Sequence, residues 1–272
     1  MDTYYFSPSD LITANSELQG DMDKIYEYSA SHNLEINPGK TNLLIFCSDN
    51  KRSHITENIR ILIGNDALQI KNSAKILGVE VDVKLRFTNY INSLAQKTYL
   101  RMRSLYSCRY LMNFKLRKKL SETLVMSCLG YCNILYFPCL DQHTKNRLQI
   151  IQNNCVRFVC NLKKFDHVTQ SYSMLRWLKL ENLVQYHYLL FIHKVLTTSK
   201  PDYLREKIIF NQAIHNRIIR NKLTIRIPPH NTSFFQRSFS YNVAVRYNSL
   251  ENMYKNMSLP RFRRYVKLKL LS

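Results

Sequence analysis

The first residues that suggest chemistry are Gly39-Lys40-Thr41, which end like a phosphate-binding loop. Such a loop needs a glycine five residues before the glycine that precedes the lysine, and Leu34 stands there. Pro38 removes a backbone N–H where the phosphate needs a donor. A strand pattern also follows where the loop requires a helix. The sequence therefore argues against a phosphate loop at Lys40.

Carboxylates suited to metal chemistry are sparse. Two-metal nucleotidyl transfer needs at least two carboxylates around the cations. Asp21 and Asp23 are two residues apart on a predicted helix, so they lie on opposite sides and are explained by solvent exposure. Asp2 stands beside the first residue. We therefore predict no metal site, and the eight scattered histidines receive no catalytic role.

The cysteines do not have zinc-ligand spacing. The nearest pairs are Cys128-x3-Cys132 and Cys155-x4-Cys160, and neither is a two-residue knuckle. We interpret them as small residues of the core. Their number, seven, is odd, and no secretory signal precedes them. Free thiols in a reducing compartment are expected, so the predicted location is nuclear or cytoplasmic and not secreted.

Charge is distributed very unevenly. Residues 1–50 hold two lysines and eight acids, a net of −6, whereas the remainder holds 38 basic and 11 acidic residues, a net of +27. A field of this size favours a polyanionic partner, and the alternative is a solvated surface with a lysine bias. No run of 18 uncharged apolar residues exists, so no transmembrane segment and no membrane partner are predicted.

The densest basic cluster holds eight cations within 23 residues and no acid. Tyr99, Tyr106 and Tyr110 are interleaved with them. Phosphate contacts from Lys and Arg together with aromatic stacking suit a nucleic-acid backbone. The alternative is a charged outer helix face with the tyrosines in the core. The eight predicted nucleic-acid-binding residues are Lys97, Arg101, Arg103, Arg109, Lys115, Arg117, Lys118 and Lys119.

The elements that must position these residues fall into two kinds. Up to about residue 83 the pattern predicts a helix, capped by Ser7 and ending near Ser31, followed by short strands. The strands are predicted at 43–47, as a hairpin over 59–63 and 68–70, and at 76–82. Gly78 inside the last one predicts a bulge or a close backbone approach. One sheet face lacks cover, so an upstream segment is expected to complete it.

From residue 84 onward, apolar residues recur at helical spacing. Asn113 is predicted to cap a helix whose buried stripe is Leu116, Leu120 and Leu124, and Asp141 to begin another. Further helices are predicted over 87–110, over 174–196 with a break near residue 180, and over 241–253 and 259–271.

Four stretches, in this order, resemble the part of jockey-like non-LTR retrotransposon reverse transcriptases that follows the catalytic carboxylates. Residues 34–41 and the apolar strand after them resemble palm motif D, and residues 76–82 resemble motif E, the primer grip. The helix pair through residues 129–132 resembles the thumb, and residues 237–241 with 248–250 resemble the C-terminal signature. The tail departs from the family at Arg246-Tyr247 and at Glu251.

The resemblance implies an α+β fold: a partial reverse-transcriptase palm, a helix plus short antiparallel strands, followed by a mainly α-helical thumb and C-terminal region. The implied bounds are 1–83 for the palm part, 84–140 for the thumb and 141–272 for the connection and tail. The parent activity is RNA-directed DNA polymerisation, a nucleotidyl transfer with Mg²⁺, and the implied partners are RNA and DNA of a primer–template and an upstream part of the polymerase. No cofactor is expected in this chain itself.

The resemblance also implies roles for single residues. Lys40 would be the motif D lysine that donates a proton to the leaving pyrophosphate. Asp2 would be a relic of a metal-binding aspartate, while Leu77 and Gly78 would lie at the primer grip. Without a carboxylate pair, the chain alone is expected to bind primer–template backbone and not to polymerise. Two alternatives remain: a non-catalytic RNA- or DNA-binding protein derived from a retrotransposon, and a decayed copy with no selected role.

Overall fold

The computed structural model describes residues 10–213 and 224–271. The chain forms two compact units, Met1–Tyr90 and Ile91–Ser272. The named strands lie in the first unit and most helices lie in the second, so the predicted combination of helix and sheet, mostly helical, is confirmed. Within the described ranges, no helix has both the length and the apolar composition needed to cross a bilayer.

The first unit opens with α1 (Leu11–Ser31). Gln19, near its middle, uses both ends of its amide on the backbone of Leu62: its nitrogen donates to the Leu62 carbonyl at 3.2 Å, and its oxygen accepts the Leu62 N–H at 2.8 Å. One turn earlier, Asn15 accepts the Arg60 N–H at 2.9 Å. These bonds hold α1 beside a strand whose edge would otherwise lack partners.

Short strands in the described part of this unit pair two by two. The first and fourth are parallel, whereas the second and third, and the fifth and sixth, are antiparallel. The prediction of antiparallel strands is therefore wrong for one pair. The strands are β1 (Asn42–Leu44), β2 (Leu62–Ile63), β3 (Asp66–Ala67), β4 (Gln69–Lys71), β5 (Ser73–Ile76) and β6 (Val79–Asp82).

The parallel pair corrects the hairpin predicted over residues 59–70. β2 and β3 form its base, and the Leu68 N–H still donates to the Ile61 carbonyl at 2.8 Å. Two residues later, Ile70 lies opposite Leu43 of β1 instead. Among the described residues, β1 pairs with β4, although the two strands are distant in sequence. Local turn signals carry no information about such a distant pairing.

The strand predicted over residues 76–82 is two strands and a turn. Ile76 lies opposite Val79, so Leu77 and Gly78 form the two-residue connection of the β5–β6 hairpin. Both have positive φ, 47° at Leu77 and 89° at Gly78. Tight hairpin turns favour this backbone, and glycine adopts it without strain. The bulge predicted at Gly78 is therefore wrong, since the glycine serves the turn.

The sequence pattern gave no sign of α2 (Asp49–Asn58), because this helix is polar almost all round and buries only Ile55. A side chain that reaches across the unit attaches it. The Arg52 guanidinium donates to the Ile45 carbonyl at 3.2 Å and to the Asn72 side-chain oxygen at 2.7 Å. The helix is thus fixed by hydrogen bonds more than by apolar burial.

The second unit is helical throughout its described residues, apart from loops and one isolated bridge between Phe210 and Ile225. Its first helix begins just before the unit boundary. The helices are α3 (Thr88–Ser107), α4 (Phe114–Ser121), α5 (Ser127–Gly130), α6 (Asn133–Tyr136), α7 (Gln142–Cys160), α8 (Thr169–Leu175), α9 (Leu180–Thr198), α10 (Asp202–Glu206), α11 (Ser233–Gln236), α12 (Phe239–Asn248), α13 (Asn252–Lys255) and α14 (Leu259–Leu271).

The core of this unit is built around α7 and α9. Both carry stripes of fully buried side chains, and α12 and α14 pack against α9. Two helix starts follow the prediction: the Asn113 side chain accepts the Leu116 N–H, and the Asp141 side chain accepts the Thr144 N–H. The Thr144 bond also lowers the pKa of the Asp141 carboxyl. Of the four cysteines interpreted as core residues, Cys155 is fully buried at 0% exposure, whereas Cys128, Cys132 and Cys160 are only half-buried.

Two predicted helices are each divided in the structure. The helix predicted over residues 174–196 is broken near residue 180, as predicted, because α8 ends at Leu175, α9 begins at Leu180, and the buried Trp177 lies in the loop between them. The segment predicted over 241–253 is α12 and α13, separated at Leu250. Leu250 is buried at 6% exposure. In both places an apolar loop residue extends the helical spacing beyond the helix.

Candidate nucleic-acid interface

The residues with a catalytic prediction lie apart from the basic helices in sequence, in the first unit. Lys40 ends a short 3-10 turn, Pro38–Lys40, directly before β1, and its side chain is exposed. The Lys40 backbone N–H donates to the Asn37 carbonyl at 3.1 Å, which fixes the turn. Asp2 and the predicted cap Ser7 lie outside the described residues.

The predicted primer-grip residues form the tip of the β5–β6 hairpin. The Leu77 side chain is 87% exposed, beside the glycine of the turn. The Leu77 side chain therefore adds apolar surface at the tip of the hairpin. Behind the hairpin, Asp82 accepts the N–H groups of Arg86 and Phe87 at 3.1 and 2.6 Å. This holds the loop that leads into α3.

Two of the predicted cations form hydrogen bonds at the C-terminal end of α7. The Arg109 guanidinium donates to the Asn161 side-chain oxygen, and Arg117 donates to the same oxygen at 3.4 Å and to the Phe158 carbonyl at 3.3 Å. Asn161 is the left-handed residue that ends α7. Cations at a helix C-terminus satisfy its last carbonyls and its dipole. Both arginines are half-buried, and their role is structural.

Two further cations are also engaged within the fold. The Arg101 guanidinium donates to the Leu124 carbonyl at 2.6 Å and lies 2.8 Å from the Cys128 sulfur, which ties α3 to α5. The Lys118 ammonium donates to the Leu175 carbonyl at 3.1 Å, at the end of α8. Half of the predicted binding residues are therefore parts of the scaffold.

The other four cations face solvent. No described residue forms a hydrogen bond or ion pair with the side chains of Lys97, Arg103, Lys115 or Lys119, and all four are exposed. Lys115 and Lys119 are one turn apart and share the outward face of α4. Because nothing in the described part of the chain neutralises them, they are free to contact phosphate.

The outward face of α4 also carries apolar surface, which corrects the predicted orientation of this helix. Leu116 and Leu124 were expected in the core but are 42% and 38% exposed, while Ser121 and Val125 are fully buried. A π-helical segment, Glu122–Met126, follows α4 directly. A π turn holds more residues than an α turn, so the α-helical spacing of apolar residues does not continue unchanged from α4 into α5.

The interleaved tyrosines also differ in whether they pack within the fold or face solvent. Tyr106 packs edge-on against Phe158 with ring centroids 5.1 Å apart, and its partial burial raises its pKa. Tyr110 is 90% exposed, and the Arg109 guanidinium lies 5.7 Å from its ring centroid. Tyr110 is therefore the most exposed tyrosine of this group, whereas Tyr99 is 40% exposed.

The sequence interpretation missed a second basic surface, on the last helix. α14 buries Phe262 and Val266 against the core and exposes five cations with no acid among them. The signal was present: a predicted amphipathic helix with all of its charges positive. The exposed cations are Arg261, Arg263, Arg264, Lys267 and Lys269.

The acids of the second unit do not balance this charge. Residues 91–272 contain 31 basic and seven acidic residues, a net of +24. Asp141 caps α7, Asp166 accepts the Lys163 N–H at 2.8 Å, and Glu122 accepts the indole N–H of Trp177 at 2.8 Å. No ion pair joins two side chains within the described part of this unit; the two in the structure, Lys24–Asp21 and Lys84–Asp49, are in the first.

The resemblance implies Mg²⁺ in the parent enzyme, which needs converging carboxylates. Among the described residues, no three His, Cys, Asp or Glu side chains are placed to hold a metal ion, so these residues do not fit such a site. No protein-family model, no curated protein and no solved structure matches the chain.

Proposed function

We propose that this chain is the C-terminal part of a non-LTR retrotransposon reverse transcriptase and that its helical unit binds the phosphate backbone of a primer–template. The observation that carries the binding is the net charge of +24 on residues 91–272 with no ion pair between described side chains of that unit. Unneutralised cations on exposed helices release counterions from nucleic acid on contact, which is the main source of affinity for a backbone.

The polymerase assignment rests on the ordered motifs and on the elements that carry them. In this proposal the palm part is 1–83, the thumb 84–140, and the connection and tail 141–272. Leu77 and Gly78, at an exposed hairpin tip, are the primer grip. Lys40, exposed before β1, is the proton donor to pyrophosphate in the parent enzyme. The chain alone binds and does not polymerise, since its sequence offers no convincing carboxylate pair.

The test of binding is the salt dependence of affinity for a primed RNA–DNA duplex, measured by fluorescence anisotropy. The variant replaces Lys115 and Lys119 with alanine. These two lysines hold no other described residue, so the fold is preserved. The logarithm of the affinity falls with the logarithm of the salt concentration by about 0.9 per neutralised phosphate. We expect the variant to lower this slope by about 2.

A matched control replaces Lys51 and Arg60 of the first unit, both exposed, with alanine. It removes the same charge and should leave the slope nearly unchanged. Affinity that does not depend on salt would refute backbone binding altogether. Primer extension on the RNA template by this chain alone would refute the claim that it does not polymerise.

The second candidate function is a nucleic-acid-binding protein without any polymerase role. It is favoured by one observation: the exposed cations lie in the helical unit, whereas Lys40 lies in the other compact unit. The two candidates differ in substrate preference. A polymerase part should prefer a primed junction over either single strand, and equal affinity for all three would favour the second candidate.

A further inference from the structure

A groove crosses the second unit between α5, α6, α9 and α14. It consists of two adjoining cavities of about 300 and 470 Å³, and both are lined by Gly130 and His187. Binding sites for small molecules and flexible chains occupy cavities of roughly 300–1,000 Å³. All of these helices belong to one compact unit, and the basic surface described for α4 does not include the groove's cations.

The rim of the groove is positively charged along its length. Lys194 and Arg263 line the first cavity, and Arg176 and Lys267 line the second. Arg263 and Lys267 are one turn apart on α14, so they lie above neighbouring parts of the groove. The one acid in the lining is Glu122, which accepts the Trp177 indole N–H. Cations at both cavities suit a linear polyanion better than a single phosphate ion.

The floor of the groove contains an unmet hydrogen-bond donor. Asn133 is 1% exposed and lines the first cavity, and its side-chain nitrogen has no partner among the described residues. Its oxygen accepts the Nδ1–H of His187 at 2.8 Å. A buried donor without a partner is rare in folded proteins. A ligand that offers an acceptor in this cavity, such as a phosphate oxygen or a base carbonyl, would satisfy it.

Aromatic rings line the same groove. Trp177, Tyr186 and His187 line the second cavity, with Tyr131, which is 49% exposed. Burial lowers the pKa of His187, so its ring is neutral at physiological pH. The Arg263 charge opposes the rise that burial causes in the pKa of Tyr186. Rings beside cations are the components of a site for unstacked bases.

We propose that this groove binds a single-stranded segment of nucleic acid. Arg263 and Lys267 contact its phosphates, the Asn133 side-chain nitrogen donates to an acceptor of the strand, and the bases stack against the aromatic rings that line the second cavity. The inference rests on the proposed function and extends it by naming the strand that leaves the duplex. A duplex cannot use the floor, because its bases are stacked on one another. Only an unpaired strand presents both its phosphates and its base faces.

The experiment compares two probes by fluorescence anisotropy: a blunt RNA–DNA duplex, and the same duplex with a single-stranded RNA overhang. The groove variant is Arg263→Glu with Lys267→Glu. The matched control is Arg261→Glu with Arg264→Glu, which makes the same charge change on the same helix at exposed positions outside the groove lining. The groove variant should lose about tenfold more affinity for the overhang probe than the control.

For the blunt duplex, the two α14 variants should behave alike. A second groove variant, Gly130→Leu, changes no charge. A Cβ at Gly130 would meet the His187 ring at 3.5 Å, so the larger side chain would fill the point where the cavities adjoin. It should reduce affinity for the overhang probe alone.

Three outcomes would overturn the groove while leaving the proposed function intact. The groove and control variants could weaken overhang binding equally, Gly130→Leu could leave it unchanged, or an acidic peptide could bind the groove more tightly than the overhang does. In each case the Lys115 and Lys119 variant would still lower the salt slope on the duplex. Loss of that effect as well would overturn both proposals.

Discussion

Two neighbouring lysines on α4 should have opposite roles. The Lys118 ammonium donates to the Leu175 carbonyl at 3.1 Å, whereas the side chain of Lys119 is exposed and contacts no described acceptor. Replacing either with methionine removes one charge and keeps most of the side-chain length. The two variants therefore differ only in whether the lost charge formed a hydrogen bond within the fold or faced solvent. Lys118→Met should lower stability, and Lys119→Met should lower nucleic-acid affinity.

The magnitude follows from the hydrogen bond of Lys118. A hydrogen bond from a charged donor contributes about 1.5–3 kcal/mol, and its loss leaves the Leu175 carbonyl at the end of α8 without that partner. We expect Lys118→Met to reduce the free energy of unfolding by about 2 kcal/mol. In a unit of this size that corresponds to a lower midpoint of thermal unfolding by about 4–8 °C. Lys119→Met should stay within about 0.5 kcal/mol of the parent protein.

Urea unfolding monitored by Trp177 fluorescence measures this difference. Trp177 is the single tryptophan of the chain, it is 7% exposed, and it lies in the helical unit. The same two variants are then titrated against duplex at increasing salt. Lys119→Met should lower the salt slope by about 0.9 and Lys118→Met by much less. Equal stability of the two variants, or equal slopes, would refute the separation of structural from binding cations.

Two further predictions concern stability. Burial lowers the pKa of His193, whose Nε2–H donates to the Met257 carbonyl at 2.9 Å. The fold therefore favours the neutral ring, so this contribution to the free energy of unfolding is complete above about pH 6.5 and is lost as the pH falls below it. When unfolding is measured across that range, His193→Gln should lose less stability than the parent protein. Gly78→Ala should destabilise the β5–β6 hairpin by about 1–2 kcal/mol because φ is 89° there, and faster amide exchange in β6 would show this. In the control, Gly20→Ala, the added Cβ meets no atom within 4 Å, so this variant should stabilise α1.

Local signals in the sequence predicted local structure well. The caps at Asn113 and Asp141 were predictable because each bond spans three residues. The parallel pairing of β1 with β4 was not, since its partners are 27 residues apart and no turn connects them directly. The polar helix α2 was missed because it has no apolar stripe, and its attachment through Arg52 depends on residues that only the fold brings near.

The same limit of local sequence signals applies to the charged residues of the candidate interface. The sequence identified a basic cluster, but it could not separate Arg117, which serves the end of α7, from Lys115, which faces solvent. Their spacing alone does not decide the matter. Leu116 and Leu124 of the predicted apolar stripe are partly exposed, and the π-helical segment after α4 interrupts the α-helical spacing on which that prediction depended. A periodicity argument assumes an unbroken α-helix.

The exposed leucine of α4 bears on the proposed binding of nucleic acid. With Leu116 half-exposed beside Lys115 and Lys119, the outward surface of α4 combines cations with apolar area. Apolar side chains beside phosphate-binding cations can contact sugars and bases once the backbone is held. Arg117 and Lys118 bond to the ends of α7 and α8, so α4 leaves Leu116 on the outward surface that we propose contacts nucleic acid.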